Sequence, residues 1–166
     1  MSEAFQDLYP ADTAHCYGCG RLNPEGHQLR SFWDGDQTIA RFTPRAHHTA
    51  IPGYVYGGLI ASLIDCHGTG TAAAVGARAE GYRLGEEPAP EGAEFPRYVT
   101  ASLQVDFVAP TPLGPELVLR GMVADAGEEK GNRKVVVAIT VEAEGKVTAR
   151  GRVVAVRMPA SFIEGP

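Results

Sequence analysis

The sequence has no surplus of positive charge. Its 15 Lys and Arg stand against 20 Asp and Glu, a net −5 with neutral histidines. Without a global basic field, neither nucleic acid nor an anionic membrane is an expected partner, and an anionic ligand would need a local basic patch. Cysteine is also scarce. Cys16, Cys19 and Cys66 are three in number, odd and without framework spacing, which suits a reducing cytoplasm and not a disulfide scaffold. No N-terminal stretch joins a basic segment to an apolar one, so no signal peptide is expected. The longest weakly polar run, residues 57–77, contains Asp65 and His67 and many small residues. It reads as a buried helix and not as a membrane span. No internal repeat is visible.

What is present fits one domain with its own core: 166 residues, 44% hydrophobic and 21% charged. Residues 1–14 are expected to hold a short helix ending before Pro10. Residues 15–26, rich in Gly, Asn and Pro, read as an ordered lead-in loop. Residues 27–34 and 37–44 read as two strands joined by a turn at Asp34-Gly35-Asp36. Residues 44–56 form a loop. Gly57 to about Ala77 is the one long helical candidate, and it is apolar on every side, so other structure must wrap it. Residues 78–96, rich in Gly, Pro and Glu, read as a long flexible connection or lid.

Strands are expected over the remainder. Val99, Ala101, Leu103, Val105 and Phe107 alternate with polar neighbours. So do Val135, Val137, Ile139 and Val141, and likewise Val147, Ala149, Val153 and Ala155. Period two of this kind belongs to a sheet with one covered face. Residues 115–127 supply another strand, and Glu144-Gly145-Lys146 a hairpin turn. The order β-β-α-β-β-β-β points to an α+β fold, an antiparallel sheet curled round one central helix.

The run Tyr56-Gly57-Gly58-Leu59-Ile60-Ala61-Ser62-Leu63-Ile64-Asp65 resembles the hotdog-fold acyl-CoA thioesterases of the phenylacetate type, in the 4-hydroxybenzoyl-CoA thioesterase superfamily. The family pattern is His-Gly-Gly opening a helix, with Asp eight residues after the first Gly. Residues 100–110, ending Asp-Phe-Val-Ala-Pro, are similar to the family strand after the helix. The loop His15-Cys16-Tyr17-Gly18-Cys19-Gly20 resembles a lead-in found in many members. The likeness covers roughly residues 15–157. Two departures stand out: Tyr56 occupies the place of the family His, and Ala50 that of an Asn often found upstream. The resemblance implies hydrolysis of an acyl-CoA without a cofactor, by a homodimer or dimer of dimers. It also implies Asp65 as catalytic carboxylate, Gly57 as oxyanion donor, and Thr100 as the Ser or Thr that holds water and carboxylate.

The chemistry supports the same residues. Thioester hydrolysis needs a donor for the developing oxyanion and a carboxylate that attacks or activates water. Gly57 and Gly58 open a helix, where N–H groups lack intrahelical partners and the dipole is positive. Asp65 lies about 12 Å further along the same rod at about 1.5 Å per residue. One helix cannot bring both groups to one carbon; two antiparallel helices from two protomers can. Tyr56 is expected to orient ligand through its hydroxyl. Arg133 and Lys134 are candidates for the coenzyme A phosphates, and His48 for the mouth of the site.

Other residues read as structural. Cys66 and His67 flank Asp65 but point elsewhere, into core or interface. His15, Cys16 and Cys19, with His27 as a fourth ligand, would make a metal site, but a lone Cys-x-x-Cys is weak evidence and no metal is expected. A hotdog hydratase would need a His and carboxylate pair at the helix start, which Tyr56 does not supply. A non-catalytic acyl-CoA-binding module remains the rival from another class.

Overall fold

The computed structural model describes residues 3–84, 91–92 and 94–163. Two short 3-10 turns, Phe5–Leu8 and Ala11–Thr13, flank Pro10. There follow β1 (Ser31–Asp34), β2 (Gln37–Phe42), α1 (Gly57–Ala79), β3 (Tyr98–Phe107), β4 (Leu117–Asp125), β5 (Lys134–Ala143) and β6 (Lys146–Arg157). All strand pairs are antiparallel, and the six strands lie in the order β1-β2-β4-β5-β6-β3. The helix therefore carries the chain from β2 across the sheet to β3 at the opposite edge. This is the hotdog architecture that the element order implied. β1 is shorter than residues 27–34, since only the last four pair with β2.

The inner face is as the alternation requires. Leu117, Leu119, Val135, Val137, Ile139, Val141, Ala149, Val153 and Ala155 are each no more than 2% exposed. The helix lies close on them because small residues face the contact. A side chain on Gly68 would run into Val153, and one on Gly151 into Ile64. The N-terminal segment covers another side of α1: Phe5 packs edge-on against Trp33, and Tyr9 against Phe95. Phe95 also meets Tyr82. The expected lid over residues 78–96 is thus corrected at both ends. Residues 78–79 belong to α1, and Tyr82 and Phe95 are buried. Residues 85–90 and 93 of that connection lie outside the described residues.

A buried polar strip ties the layers together. Gln6 Nε2 donates to Ser31 Oγ (3.2 Å), and Gln6 Oε1 accepts from the Ser31 N–H (2.8 Å). Ser31 Oγ lies 2.9 Å from His67 Nδ1, and Thr38 Oγ1 3.2 Å from Nε2. Thr38 Oγ1 also meets Thr71 Oγ1 at 2.7 Å. His67 is fully buried with both ring nitrogens engaged, and burial holds its pKa down to about 4. It is therefore a neutral core residue, as expected.

Bulges in β3 and β6 correct the strict alternation there. Thr100 pairs with Ala155 and Ser102 with Val154, which leaves Ala101 unpaired. A bulged residue shifts side-chain parity. Leu103, Val105 and Phe107 face the helix side, but beyond the bulge Thr100 and Tyr98 do so, and Val99 turns outward. In the same way Val141 pairs with Ala149 and Glu142 with Val147. Val147 therefore sits on the outer face, away from Ala149, Val153 and Ala155.

Thr38→Val removes the hydroxyl shared by His67 and Thr71 while keeping the volume. We expect it to lower stability by about 1–3 kcal/mol, the penalty for an orphaned buried polar group. Urea denaturation would measure this, and an unchanged midpoint would show that the strip does not hold the layers.

Candidate active site

Asp65 sits on the third turn of α1, half-buried, with its carboxylate accepting a hydrogen bond from Thr100 Oγ1. This contact exists because of the Ala101 bulge: unbroken alternation would turn Thr100 to the far face of the sheet. Burial pushes the Asp65 pKa above the ordinary carboxylate value, the Thr100 bond opposes this, and nearby Cys16 adds to the rise. Gly57, Ala61 and Asp65 are half-exposed at helical spacing of four; beside them Ser62 is half-exposed and Gly58 exposed. They form an uncovered stripe on a helix otherwise buried through its middle. The expectation that α1 is wrapped on all sides fails along this stripe, and again at Val75 and the last turn.

The helix start is fixed by its neighbours. Tyr56 is the N-cap, with φ −60° and ψ 127°, and its carbonyl accepts from Leu59 and Ile60. Its own N–H donates to the His48 carbonyl (2.8 Å), and Val55 N–H to Thr111 (2.9 Å). The N–H groups of Gly57 and Gly58 have no acceptor among the described residues, as first-turn donors do not. A cleft of about 400 Å³, lined in part by Val55, Gly57, Ile60 and Phe107, opens there. Phe107 lies beside Gly57, where an added Cβ would sit 3.3 Å from its ring. The largely exposed Tyr56 ring lies against Gly58 in space that any side chain would fill. Asp65 and Thr100 do not line this cleft, and a larger concavity at Asp125, Glu128, Glu129, Lys130 and Lys134 lies elsewhere on the surface.

The structure thus brings Asp65 to Thr100, and Tyr56 to both glycines. Within one chain it does not bring Asp65 to Gly57. His48 is half-buried near the helix start, its Nδ1 accepting from the Arg45 N–H at 2.9 Å, with His27 and His47 rings alongside. Burial, then His47, lowers its pKa. Arg133 and Lys134 are distant from the helix start. Arg157 N–H donates to the Arg133 carbonyl, and the Arg157 side chain pairs with Glu80, just past the end of α1. Lys134 is exposed on the outer face, opposite Val156.

The sequence model of the Thioesterase superfamily matches residues 52–149, which span the helix, Asp65, Thr100 and most of the sheet. The chain belongs to the thioesterase superfamily. A thioesterase superfamily protein from Shewanella loihica is 47% identical over 93% of this chain and 99% of its own, with a TM-score of 0.66. The Escherichia coli PaaI protein of the phenylacetic acid degradation operon shares the fold at 17% identity and TM-score 0.60, covering 80% of this chain and 81% of its own. A Streptococcus mutans protein solved bound to acetyl-CoA does so at 15% identity and TM-score 0.59, covering 78% and 88%. No protein of curated function matches the sequence. Among the described residues, no helix of this superfamily member is long and apolar enough to cross a membrane.

Sequence reasoning missed one grouping. Cys66 does not simply fill core: its sulfur and those of Cys16 and Cys19 lie within 4.8 Å of one another. Neither His15 nor His27 joins them; the His27 ring packs on Tyr17 and Phe42. Cys-x-x-Cys was the visible half of this cluster. The third member comes from a helix 47 residues further on, which spacing alone does not reveal.

Proposed function

We propose that the protein is an acyl-CoA thioesterase that converts acyl-CoA and water to a carboxylic acid and coenzyme A, in sites shared between two protomers. The observation that carries this is the uncovered helical stripe. It has unpartnered N–H groups at Gly57 and a buried-side carboxylate, bonded to Thr100, about 12 Å along the rod. A two-fold axis that lays two such stripes against each other brings each Gly57 to the other chain's Asp65. The edge strand β3 supports the same assembly. It is largely exposed, with Leu103 40% and Phe107 56% accessible, and a long unpaired apolar edge invites a partner strand.

In this reading the Gly57 N–H, with Gly58 beside it, receives the thioester carbonyl as charge develops on it. Asp65 attacks the carbonyl or takes a proton from water that Thr100 holds. Tyr56 orients the thioester and His48 lies at the mouth; Arg133 and Lys134, remote from the Gly57 of their own chain, meet the coenzyme A phosphates of the ligand held at the other protomer's helix start. No cofactor enters. Three free thiols suit the cytoplasm.

Release of free coenzyme A thiol from a panel of acyl-CoAs tests the activity. Asp65→Asn should lower turnover by about 10²–10⁴-fold, the range for a lost general base. Wild-type rates in that variant would remove Asp65 from the chemistry. Binding of several acyl-CoAs without any thiol release would make the protein a binding module. Thr100→Val should cost about tenfold, equivalent to one hydrogen bond in the transition state.

Ala61→Arg places a charge in the middle of the stripe. Sedimentation should show dissociation to monomers, and thiol release should fall with it. A monomer of full activity would defeat the shared site. The wild-type run also tells a dimer from a dimer of dimers.

A further inference from the structure

Outside the stripe, the most organised group of reactive side chains is the thiol cluster. Cys16 and Cys19 lie on a tight loop in which Gly20 N–H donates to the Cys16 carbonyl at 2.7 Å. The loop rests directly on α1: a methyl group at Gly18 would run into Cys66 Sγ. Cys16 Sγ and Cys66 Sγ are 3.8 Å apart, and all three sulfurs fall within 4.8 Å. A zinc–sulfur bond of about 2.3 Å sets neighbouring sulfurs about 3.8 Å apart in a tetrahedral site and about 4.0 Å in a trigonal one. The Cys16–Cys66 pair already has this spacing, and shifts of no more than about 1 Å bring the third sulfur to it, whereas a disulfide needs a pair at about 2.05 Å.

A second observation concerns charge. Arg97 lies with its guanidinium 3.8 Å above the Tyr9 ring, and its Nε and Nη1 are buried without a hydrogen-bond partner among the described residues. Its charge acts on Cys19. No carboxylate pairs with it among the described ion pairs. Three thiols in their neutral form leave this cation without a counter-charge, which is unfavourable in a buried setting. Three thiolates on one divalent cation carry a net charge of −1 and balance it.

We propose that Cys16, Cys19 and Cys66 bind one thiophilic d10 cation, zinc(II) above all, and so staple the lead-in loop to the central helix. Binding exchanges three thiol protons for three metal–sulfur bonds, and water takes the fourth position. Hard cations such as magnesium or calcium are excluded by the all-sulfur set. The site sits one residue from Asp65 yet does not depend on the hydrolase reading, because it can be occupied in a protein that cleaves nothing.

The full-length chain, purified reduced under anaerobic conditions and given zinc(II), should retain about one ion per protomer through gel filtration, by elemental analysis. Cobalt(II) in its place should give sulfur-to-metal charge-transfer absorption. The zinc form should melt higher than the metal-free form and shield its thiols from a thiol reagent. Cys66→Ser and Cys19→Ser should each weaken binding by more than about tenfold, a loss already reached when only an outer partner of a metal ligand is removed. Cys16→Ala, at a half-buried position, provides the same test with little demand on packing. Three thiols that react freely in wild-type protein with equimolar zinc would overturn the proposal. So would a Cys16–Cys19 disulfide in protein alkylated at the moment of lysis.

Discussion

Everything in this chain follows from a helix with no side to give to water. α1 is apolar or small around its whole circumference, and a rod of that kind is stable only if other elements enclose it. The sheet covers one side, and the N-terminal turns with Phe95 and Tyr82 cover another. What is left is the narrow stripe from Gly57 to Asp65, and it is here that the backbone donors and the carboxylate are found. The stripe is narrow because the helix residues there are Gly, Ala and Ser. Nothing on it projects far enough to hinder a second rod from lying close.

Much of this was legible in the residues. The alternation in 135–141 set the inner face, and the two glycines before an apolar run located the helix start. The Asp within that run stood out because an isolated carboxylate in such surroundings needs a partner. Thr100 was nameable only through family likeness. By strict period two it belongs with Ser102 and Gln104 on the far face. The Ala101 bulge reverses this, and no turn residue or proline announces the bulge. Local pattern reports what one strand prefers, while a bulge is decided by the register of the pair.

The same limit explains the cysteines and the basic pair. Cys66 reads as a small core residue until the loop that covers it is placed, because the contact joins segments 50 residues apart. Arg133 and Lys134 follow a Gly-Asn turn and suggest a phosphate patch from composition, yet where that turn lies relative to the helix start depends on strand order. Polar burial was partly foreseeable: His67 was expected inside, but its partners Ser31 and Thr38 come from two strands that gave no sign of carrying polar groups inward.

The crossing of α1 from β2 to the far edge has a consequence for how the chain is made. Residues 57–79 leave the ribosome before β4, β5 and β6, at 117–157, that shelter them. β2 waits in the same way, since its only neighbour besides β1 is β4. Until residues 117–157 have been synthesised, a greasy 23-residue rod lacks the middle of the sheet it lies on. The rod therefore gains its full cover only once β6 has emerged and paired.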